Sequence, residues 1–344
     1  MNKEAKIRGL GGLGNFLKEF LVKNNDEYTP LEEEFHGYLR RSETENPWFT
    51  QDSLQYALQS WSEVLNEETI SKWTNQYPFA ASPKKVGLIL AGNLPLVGFH
   101  DIVCVVLSGN IPLIKLSSKD RLIIPFLMKI WDDLTTDGVQ FEIVEKLENF
   151  DAVIATGSNN TARYLEFYFK DYLNIIRKNR TSVAVIKGDE TDAELQLLAE
   201  DIFLYFGLGC RNVTRLFIPQ DFKLERLFEN FLNFKDIINH HKYANNYDYN
   251  RAVYLLNQEP FWDNNFVMLR ESDDLFSPLS VINFSRYSTL EEVKEFIHKN
   301  EEEIQCVVAK EELGLSEIPF GDAQKPGLNV YADNVDTMAF LSVI

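Results

Sequence analysis

The sequence predicts a two-domain α/β fold behind a helical N-terminal region, and three observations carry that prediction. From Val86 onward, short apolar runs alternate with longer amphipathic ones in βαβα order. The short runs, such as Val86-Gly-Leu-Ile-Leu-Ala91 and Ile304-Gln-Cys-Val-Val-Ala309, are almost wholly apolar, which is the pattern of strands covered on both faces of a parallel sheet. Upstream, residues 1 to 78 carry helical spacing, with Leu10, Leu13, Phe16 and Leu17 in register and another amphipathic run from Leu54 to Leu65. At 344 residues and 45% hydrophobic content, the chain can bury two separate cores. The boundaries read as a helical region over 1–78, a first sheet domain over 79–181, a second over 182–317 and a tail over 318–344.

Taken in order, 86–91 is a buried strand, 96–107 a helix closed by Gly109, 111–116 a strand and 122–134 a helix. Strands are expected over 139–144 and 151–156, then a helix over 160–172 and a strand over 182–186. The second half continues with a helix over 193–206, a strand over 213–218, and helices over 224–238 and 243–256. Strands over 266–269 and 279–284, a helix over 290–298 and a strand over 304–309 complete it. From Ile318 the chain reads as loop, ending in the apolar Met338-Ala-Phe-Leu-Ser-Val-Ile344, which should dock on this chain or on a second subunit, leaving a homo-oligomer open. The cluster Gly9-Leu-Gly-Gly-Leu-Gly14 invites a dinucleotide reading. No strand precedes it, however, and such glycines act only in a strand-turn-helix, so it reads as a flexible or packing turn.

A net charge of -18 disfavours a nucleic-acid or anionic-membrane partner, because both need clustered cations. No run reaches the roughly 18 apolar residues of a membrane span, and Met1-Asn-Lys-Glu-Ala-Lys6 lacks a signal-peptide core, so a cytoplasmic protein is expected. The three cysteines, Cys104, Cys210 and Cys306, are far apart and show no metal or disulfide spacing; reduced thiols and no metal are expected. Cys104 and Cys306 fall in apolar runs and read as core. Cys210 alone reads as a loop residue. It follows Gly207 and Gly209, whose missing side chains let a substrate approach the sulfur, although a small apolar residue near a helix end would look the same.

Three more strand ends carry unusual residues. Asn93, in Ala91-Gly-Asn-Leu-Pro95, reads first as the cap of the following helix and second as an amide donor to a developing oxyanion. Lys115, in Lys115-Leu-Ser117-Ser118, is either a solvated strand end or a cation placed to meet a nucleotide. Thr156-Gly157-Ser158 puts a glycine and a strong N-cap at a helix start, where backbone N–H groups attract anions. His100 reads as a packed helix residue, and His240-His241 as part of a surface helix.

The order of these motifs, continued by Asp274-Leu-Phe276-Ser-Pro278, resembles the aldehyde dehydrogenase superfamily. Within it, the likeness is to LuxC-type acyl-CoA reductases, on Ala91-Gly-Asn-Leu-Pro95, Leu208-Gly-Cys-Arg-Asn212 and Tyr331-Ala-Asp-Asn-Val-Asp-Thr-Met338. It spans roughly 86–341. The resemblance implies an aldehyde dehydrogenase-like fold of two Rossmann-like domains, with 79–181 binding NAD(P) and 182–317 catalytic. It implies Cys210 as the acylated nucleophile and Asn93 as an oxyanion donor. Lys115, with Ser117 and Ser118, would lie beside the adenosine ribose, and Thr156, Gly157 and Ser158 under the pyrophosphate. Asp274, one methylene shorter than the family's glutamate, would hold the nicotinamide ribose, with Phe276 in the same motif.

The implied activity is reduction of a fatty acyl-CoA, or an acyl-carrier thioester, to an aldehyde through an acyl-cysteine. The alternatives are a cysteine-dependent acyltransferase or thioesterase without hydride transfer, and a catalytically silent scaffold. Where acid-releasing relatives carry Glu-Leu-Gly-Gly-Lys, this chain has Arg177-Lys-Asn-Arg-Thr181, with no carboxylate to activate water. Ser118 stands where NAD-preferring relatives have an acid, which removes a charge that would repel a 2′-phosphate. NADPH is the implied cofactor, with NADH the alternative. The chain is also shorter than typical relatives, and the resemblance implies that their oligomerising hairpin is missing.

Overall fold

The structure is a computed structural model that describes residues 2–310 and 313–344. Packing divides the chain into two compact units, Met1–Lys178 with Gly327–Ile344, and Asn179–Pro326.

The first unit opens with four helices, α1 (Lys3–Val22), α2 (Pro30–Glu45), α3 (Gln51–Val64) and α4 (Glu67–Thr74). Each starts where Asn2, Thr29, Thr50 or Asn66 accepts a hydrogen bond from a first-turn backbone N–H. The glycine cluster is not a turn. It lies inside α1, where a Cβ on Gly9 would sit 2.1 Å from Thr135 Oγ1 and one on Gly14 would sit 1.9 Å from the Leu65 carbonyl. The glycines let α1 approach its neighbours closely, and Leu10, Leu13 and Leu17 are fully buried beside them.

The sheet of this unit is built from β1 (Lys85–Ile89), β2 (Ile111–Lys115), β3 (Glu142–Ile143), β4 (Ala152–Thr156) and β5 (Leu173–Arg177). Its order is β3-β2-β1-β4-β5, and every pair is parallel. Helices α5 (Phe99–Leu107), α6 (Ile123–Leu134) and α7 (Asn159–Phe169) connect the strands, while β3 passes to β4 with no helix. Alternation separates the two faces: Val86, Leu88 and Ile154 join the helical core, whereas Val153 and Ala155 pack with Phe150, Leu165 and Phe169. Strand β5 was not expected, because Leu173-Asn-Ile-Ile-Arg177 is short and interrupted by asparagine; parallel pairing with β4 recruits it.

The apolar terminus docks on its own unit, with α12 (Thr337–Leu341) burying Met338 and Leu341. Trp73 donates to the Tyr331 hydroxyl (2.9 Å), which donates to Tyr77 (3.0 Å), which donates to Asp336 (2.7 Å). Arg177 is buried between Asp101 and the Thr337 hydroxyl.

The second unit carries β6 (Thr181–Val185), α8 (Asp192–Phe203), β7 (Val213–Pro219), α9 (Glu225–Phe231), α10 (His241–Asn257), β8 (Trp262–Asp263), β9 (Met268–Glu271), β10 (Val281–Tyr287), α11 (Leu290–Lys299) and β11 (Ile304–Ala309). The strand order is β11-β6-β7-β10-β9-β8. This sheet is mixed rather than wholly parallel, because β8 runs antiparallel to β9. The pair Asn264-Asn265 turns the chain there, with Asn265 left-handed at φ 74°. Ala184, Ile186, Leu216 and Ile218 face α8 and α9, while Val183, Val185 and Phe217 face α11. Cys306 is buried in this core, and Cys104 in that of the first unit.

A paired substitution tests the role given to the α1 glycines. A Cβ added at Gly37, in α2, would meet no atom within 4 Å, so Gly37→Ala should gain about 0.5–1 kcal/mol of helix propensity. Gly14→Ala gains the same propensity but overpacks against Leu65, at a cost of about 1–3 kcal/mol or more, and should lower the denaturation midpoint.

Candidate active site

In the first unit, β1 and β4 are adjacent although β2 and β3 lie between them in sequence, so the strand order reverses at that pair. Open parallel sheets bind ligands at the carboxyl edge of such a reversal. The loop after β1 carries Asn93, exposed on that edge. Asn93 does not cap the next helix, because α5 begins only at Phe99, with Gly98 as its cap residue. Pro95 and the left-handed Leu96 (φ 59°) hold the chain out of helix in between.

Lys115 ends β2 and is exposed, as is Ser118, while Ser117 is half-buried. A Cβ on Gly92 would lie 2.4 Å from Ser117 Oγ, so the Asn93 loop and the Lys115–Ser118 turn pack flush. Asp120 clasps the two loops by accepting the Leu96 N–H at 2.9 Å. Burial pushes its carboxyl up to about 6, against the pull of that hydrogen bond.

Thr156 ends β4, and Ser158 caps α7 by accepting the Thr161 N–H at 3.3 Å. Gly157 donates to the Arg177 carbonyl at 3.1 Å. The positive end of α7 therefore opens on the same edge as Lys115 and Asn93. This edge fits an anionic dinucleotide: two lysines and two serines within Lys115-Leu-Ser-Ser-Lys119, no exposed acid among them, and a glycine where the backbone closes.

In the second unit, α8 stops at Phe203, short of the expected 206. Tyr205 (φ 55°), Phe206 (φ 61°) and Gly207 (φ 78°) follow, all left-handed, and reverse the chain. Cys210 sits half-buried in the turn that follows, at the amino end of β7 rather than at a carboxyl edge. Ser182 donates to the Cys210 carbonyl at 3.0 Å. Arg211 donates to the Ala323 carbonyl, whose own N–H is held by Asp201 at 3.0 Å.

The Asp274–Phe276 loop returns from β9 to the start of β10 across β7. Arg215 donates to the Asp274 carbonyl at 2.7 Å, and Asn283 donates to the carbonyls of Asp274 and Phe276, both at 3.0 Å. Phe276 and the Asp274 side chain are both exposed, the latter beside Ser272 Oγ (3.0 Å) and Arg270 (3.4 Å). A cavity of about 50 Å³ opens beside Gly207 and Val213, walled by Phe203, Phe206, Tyr243 and Leu279.

His100 is packed, bonding the Leu328 carbonyl at 2.9 Å and stacking on Trp73, and burial lowers its pKa. His240 caps α10. Among the described residues, no group of three or more His, Cys, Asp or Glu could hold a metal ion, and no helix is long and apolar enough to cross a membrane. Asn212, Asp201 and Asp120 were missed by sequence reasoning; a polar residue directly before an apolar strand, as in Cys210-Arg-Asn212-Val, was the available signal.

A family model described as acyl-CoA reductase (LuxC) matches residues 15–226, more than half of the chain and including most of the helical region. The chain belongs to the LuxC acyl-CoA reductase family. Asp274, Phe276 and the Tyr331–Met338 stretch lie outside the matched residues. No curated protein matches the chain.

Solved structures of similar fold include aldehyde dehydrogenases. Aldehyde dehydrogenase 21 from Physcomitrella patens, in complex with its reaction product succinate, has a TM-score of 0.63 at 13% identity, covering 91% of this chain and 74% of that one. Indole-3-acetaldehyde dehydrogenase from P. syringae, in complex with NAD+, has a TM-score of 0.65 at 12% identity, covering 90% and 72%. The Mycobacterium tuberculosis aldehyde dehydrogenase complexed with NAD+ has a TM-score of 0.62 at 12% identity, covering 90% and 73%. The chain therefore has an aldehyde dehydrogenase fold, and family and fold together support an oxidoreductase working at the aldehyde level.

Asp201 gives a pH test of the loop that Arg211 grips. Burial, with Glu200 and Asp322 nearby, raises its carboxyl from 3.8 to about 7, against hydrogen bonds from Gly321 (2.7 Å) and Ala323. The folded state keeps this proton where the unfolded chain has lost it. The stabilisation is complete below 3.8 and is lost as pH rises to about 7. Asp201→Asn should flatten that part of the stability profile in denaturant melts between pH 4 and 8, while Asp120 keeps its own smaller slope.

Proposed function

We propose that this LuxC-family chain reduces an acyl-CoA thioester to an aldehyde with NADPH, through an acyl group carried on Cys210. The observation that carries the reading is the Cys210 turn: a half-buried thiol, reached through a glycine-flanked reversal, in a chain whose family is named for acyl-CoA reduction. Attack by the Cys210 thiolate forms a new carbon–sulfur bond and expels CoA as its thiolate. As the carbonyl oxygen gains charge, the Cys210 backbone N–H donates to it, and the family resemblance assigns the second donor to the Asn93 side chain. Lys115, Ser117, Ser118 and the Thr156-Gly157-Ser158 helix start would hold the cofactor's adenosine and pyrophosphate, and the family resemblance assigns its nicotinamide ribose to Asp274, with Phe276 in the same motif. When bound, the cofactor supplies a hydride to the acyl carbon. The Cys210 sulfur then leaves as thiolate and the aldehyde departs.

Three features favour this reading over hydrolysis or simple acyl transfer. Arg177-Lys-Asn-Arg-Thr181 has no carboxylate to activate water, and its Arg177 is committed to a buried ion pair with Asp101. The absence of an acid at Ser118 favours a 2′-phosphate and hence NADPH. The small cavity beside the turn has a mixed lining, and its Phe203, Phe206 and Leu279 side, beside Thr214, Ser277 and Ser280, would suit the first methylenes of a fatty chain.

Incubation with acyl-CoA in the absence of NADPH should add the mass of one acyl group to the Cys210 peptide and release one equivalent of CoA. Cys210→Ala should abolish both, and an unmodified Cys210 would end the proposal. Asn93 is exposed on a loop, so Asn93→Ala should leave stability unchanged while lowering the acylation and NADPH-oxidation rates by about 10²–10³-fold. CoA release with no NADPH oxidation would instead mark an acyltransferase or thioesterase.

A further inference from the structure

We propose that Asn212 is the positioning residue for Cys210, fixing both the sulfur's turn and the direction of the Cys210 N–H. The inference rests on the acyl-cysteine reading above, and its test separates the two. Helix α8 ends at Phe203, and the left-handed path through Tyr205, Phe206 and Gly207 takes the chain away from the positions where a continuing helix would satisfy the last carbonyls. The Asn212 side chain takes over that work. Its Nδ2 donates to the carbonyls of Asp201 (3.3 Å), Ile202 (3.2 Å) and Leu204 (2.8 Å), and its Oδ1 accepts the Gly209 N–H at 2.8 Å. Asn212 is fully buried, so its two ends are bound where no solvent can substitute for a lost partner.

The same residue closes the turn through its backbone, with the Asn212 N–H donating to the Gly209 carbonyl at 3.1 Å. That bond sets the plane of the Gly209–Cys210 peptide. In a trans peptide the N–H points opposite to the carbonyl, so holding the Gly209 oxygen inside the turn aims the Cys210 N–H out of it, as an oxyanion donor requires. Ser182 holds the other side of the cysteine by donating to its carbonyl. Asn212 thus couples the stop of α8 to the presentation of the nucleophile without itself meeting substrate.

The test compares wild type with Asn212→Ala and Asn212→Asp. The rate of alkylation by iodoacetamide is followed across pH for Cys210, Cys104 and Cys306 separately, by mass spectrometry of their peptides. Cys306 is buried in the same unit and reports its folding. In Asn212→Ala, acylation of Cys210 by a fatty acyl-CoA should fall about 10²-fold, and the pH profile of Cys210 alkylation should shift, while Cys306 stays protected. Asn212→Asp keeps the acceptor and regains one donor only when protonated, so its acylation rate should recover toward wild type as pH falls. That rescue can be read even if the alanine variant does not fold.

Wild-type acylation in a folded Asn212→Ala, or the same loss at every pH in Asn212→Asp, would overturn the inference. So would Cys210 and Cys306 becoming reactive in parallel, which would mean a purely structural role. If wild-type Cys210 takes no acyl group, the earlier reading fails, and the alkylation profile still decides whether Asn212 holds the sulfur.

Discussion

A buried amide governs how the second unit presents its thiol. Helix α8 must stop, leave its last carbonyls satisfied and reverse the chain within a few residues, through a half-buried turn. Two non-glycine residues in the left-handed region, Tyr205 and Phe206, are tolerated only because the surroundings over-determine them. Asn212 supplies that constraint from the far side of the turn, with four side-chain hydrogen bonds converging on one fully buried residue. Ser182 ties the same turn to the start of β6, and Arg211 ties it to the loop that Asp201 holds. Cys210 is half-buried in this turn, whereas Cys104 and Cys306 are buried in the cores of their units.

The first unit solves a different problem, which is to bring three loops from separate strands to one edge. The reversal of strand order between β1 and β4 does this by topology. The missing side chain of Gly92 then lets the Asn93 loop and the Lys115–Ser118 turn touch, and the buried Asp120 carboxyl joins them. The N-terminal helices and the docked tail share one hydrophobic core with β1, α5 and α6. The glycines of α1 allow close helix packing, and the Trp73–Tyr331–Tyr77–Asp336 chain of hydrogen bonds fastens the end of the chain to its beginning.

What could be read from the sequence was what a single segment encodes. The apolar strands β1, β2, β4, β6, β7 and β11 and the amphipathic helices stand close to where periodicity puts them. The glycine-flanked cysteine was legible as a loop because glycine is a local signal. Features set by partners were not legible. Strand β5 exists because β4 offers a pairing edge, and β8 because an Asn-Asn turn folds it onto β9. The glycines of α1 looked like a turn because glycine breaks isolated helices; only Thr135, Glu67, Leu134 and Leu65, far away in sequence, show why they are needed. Asn93 looked like a cap until Leu96 proved left-handed and moved the helix start to Phe99. Asn212 was invisible as a clamp because its partners are backbone carbonyls, which no sequence displays.

The central claim is that one sulfur, Cys210, both receives the acyl group and gives it up to reduction. The most direct measurement isolates the acylated protein from excess acyl-CoA and then adds NADPH in a single-turnover mixing experiment. The account predicts one NADPH oxidised and one aldehyde formed for each acyl group lost from Cys210. Loss of the acyl group as free acid, or its persistence on Cys210 in the presence of NADPH, would contradict it.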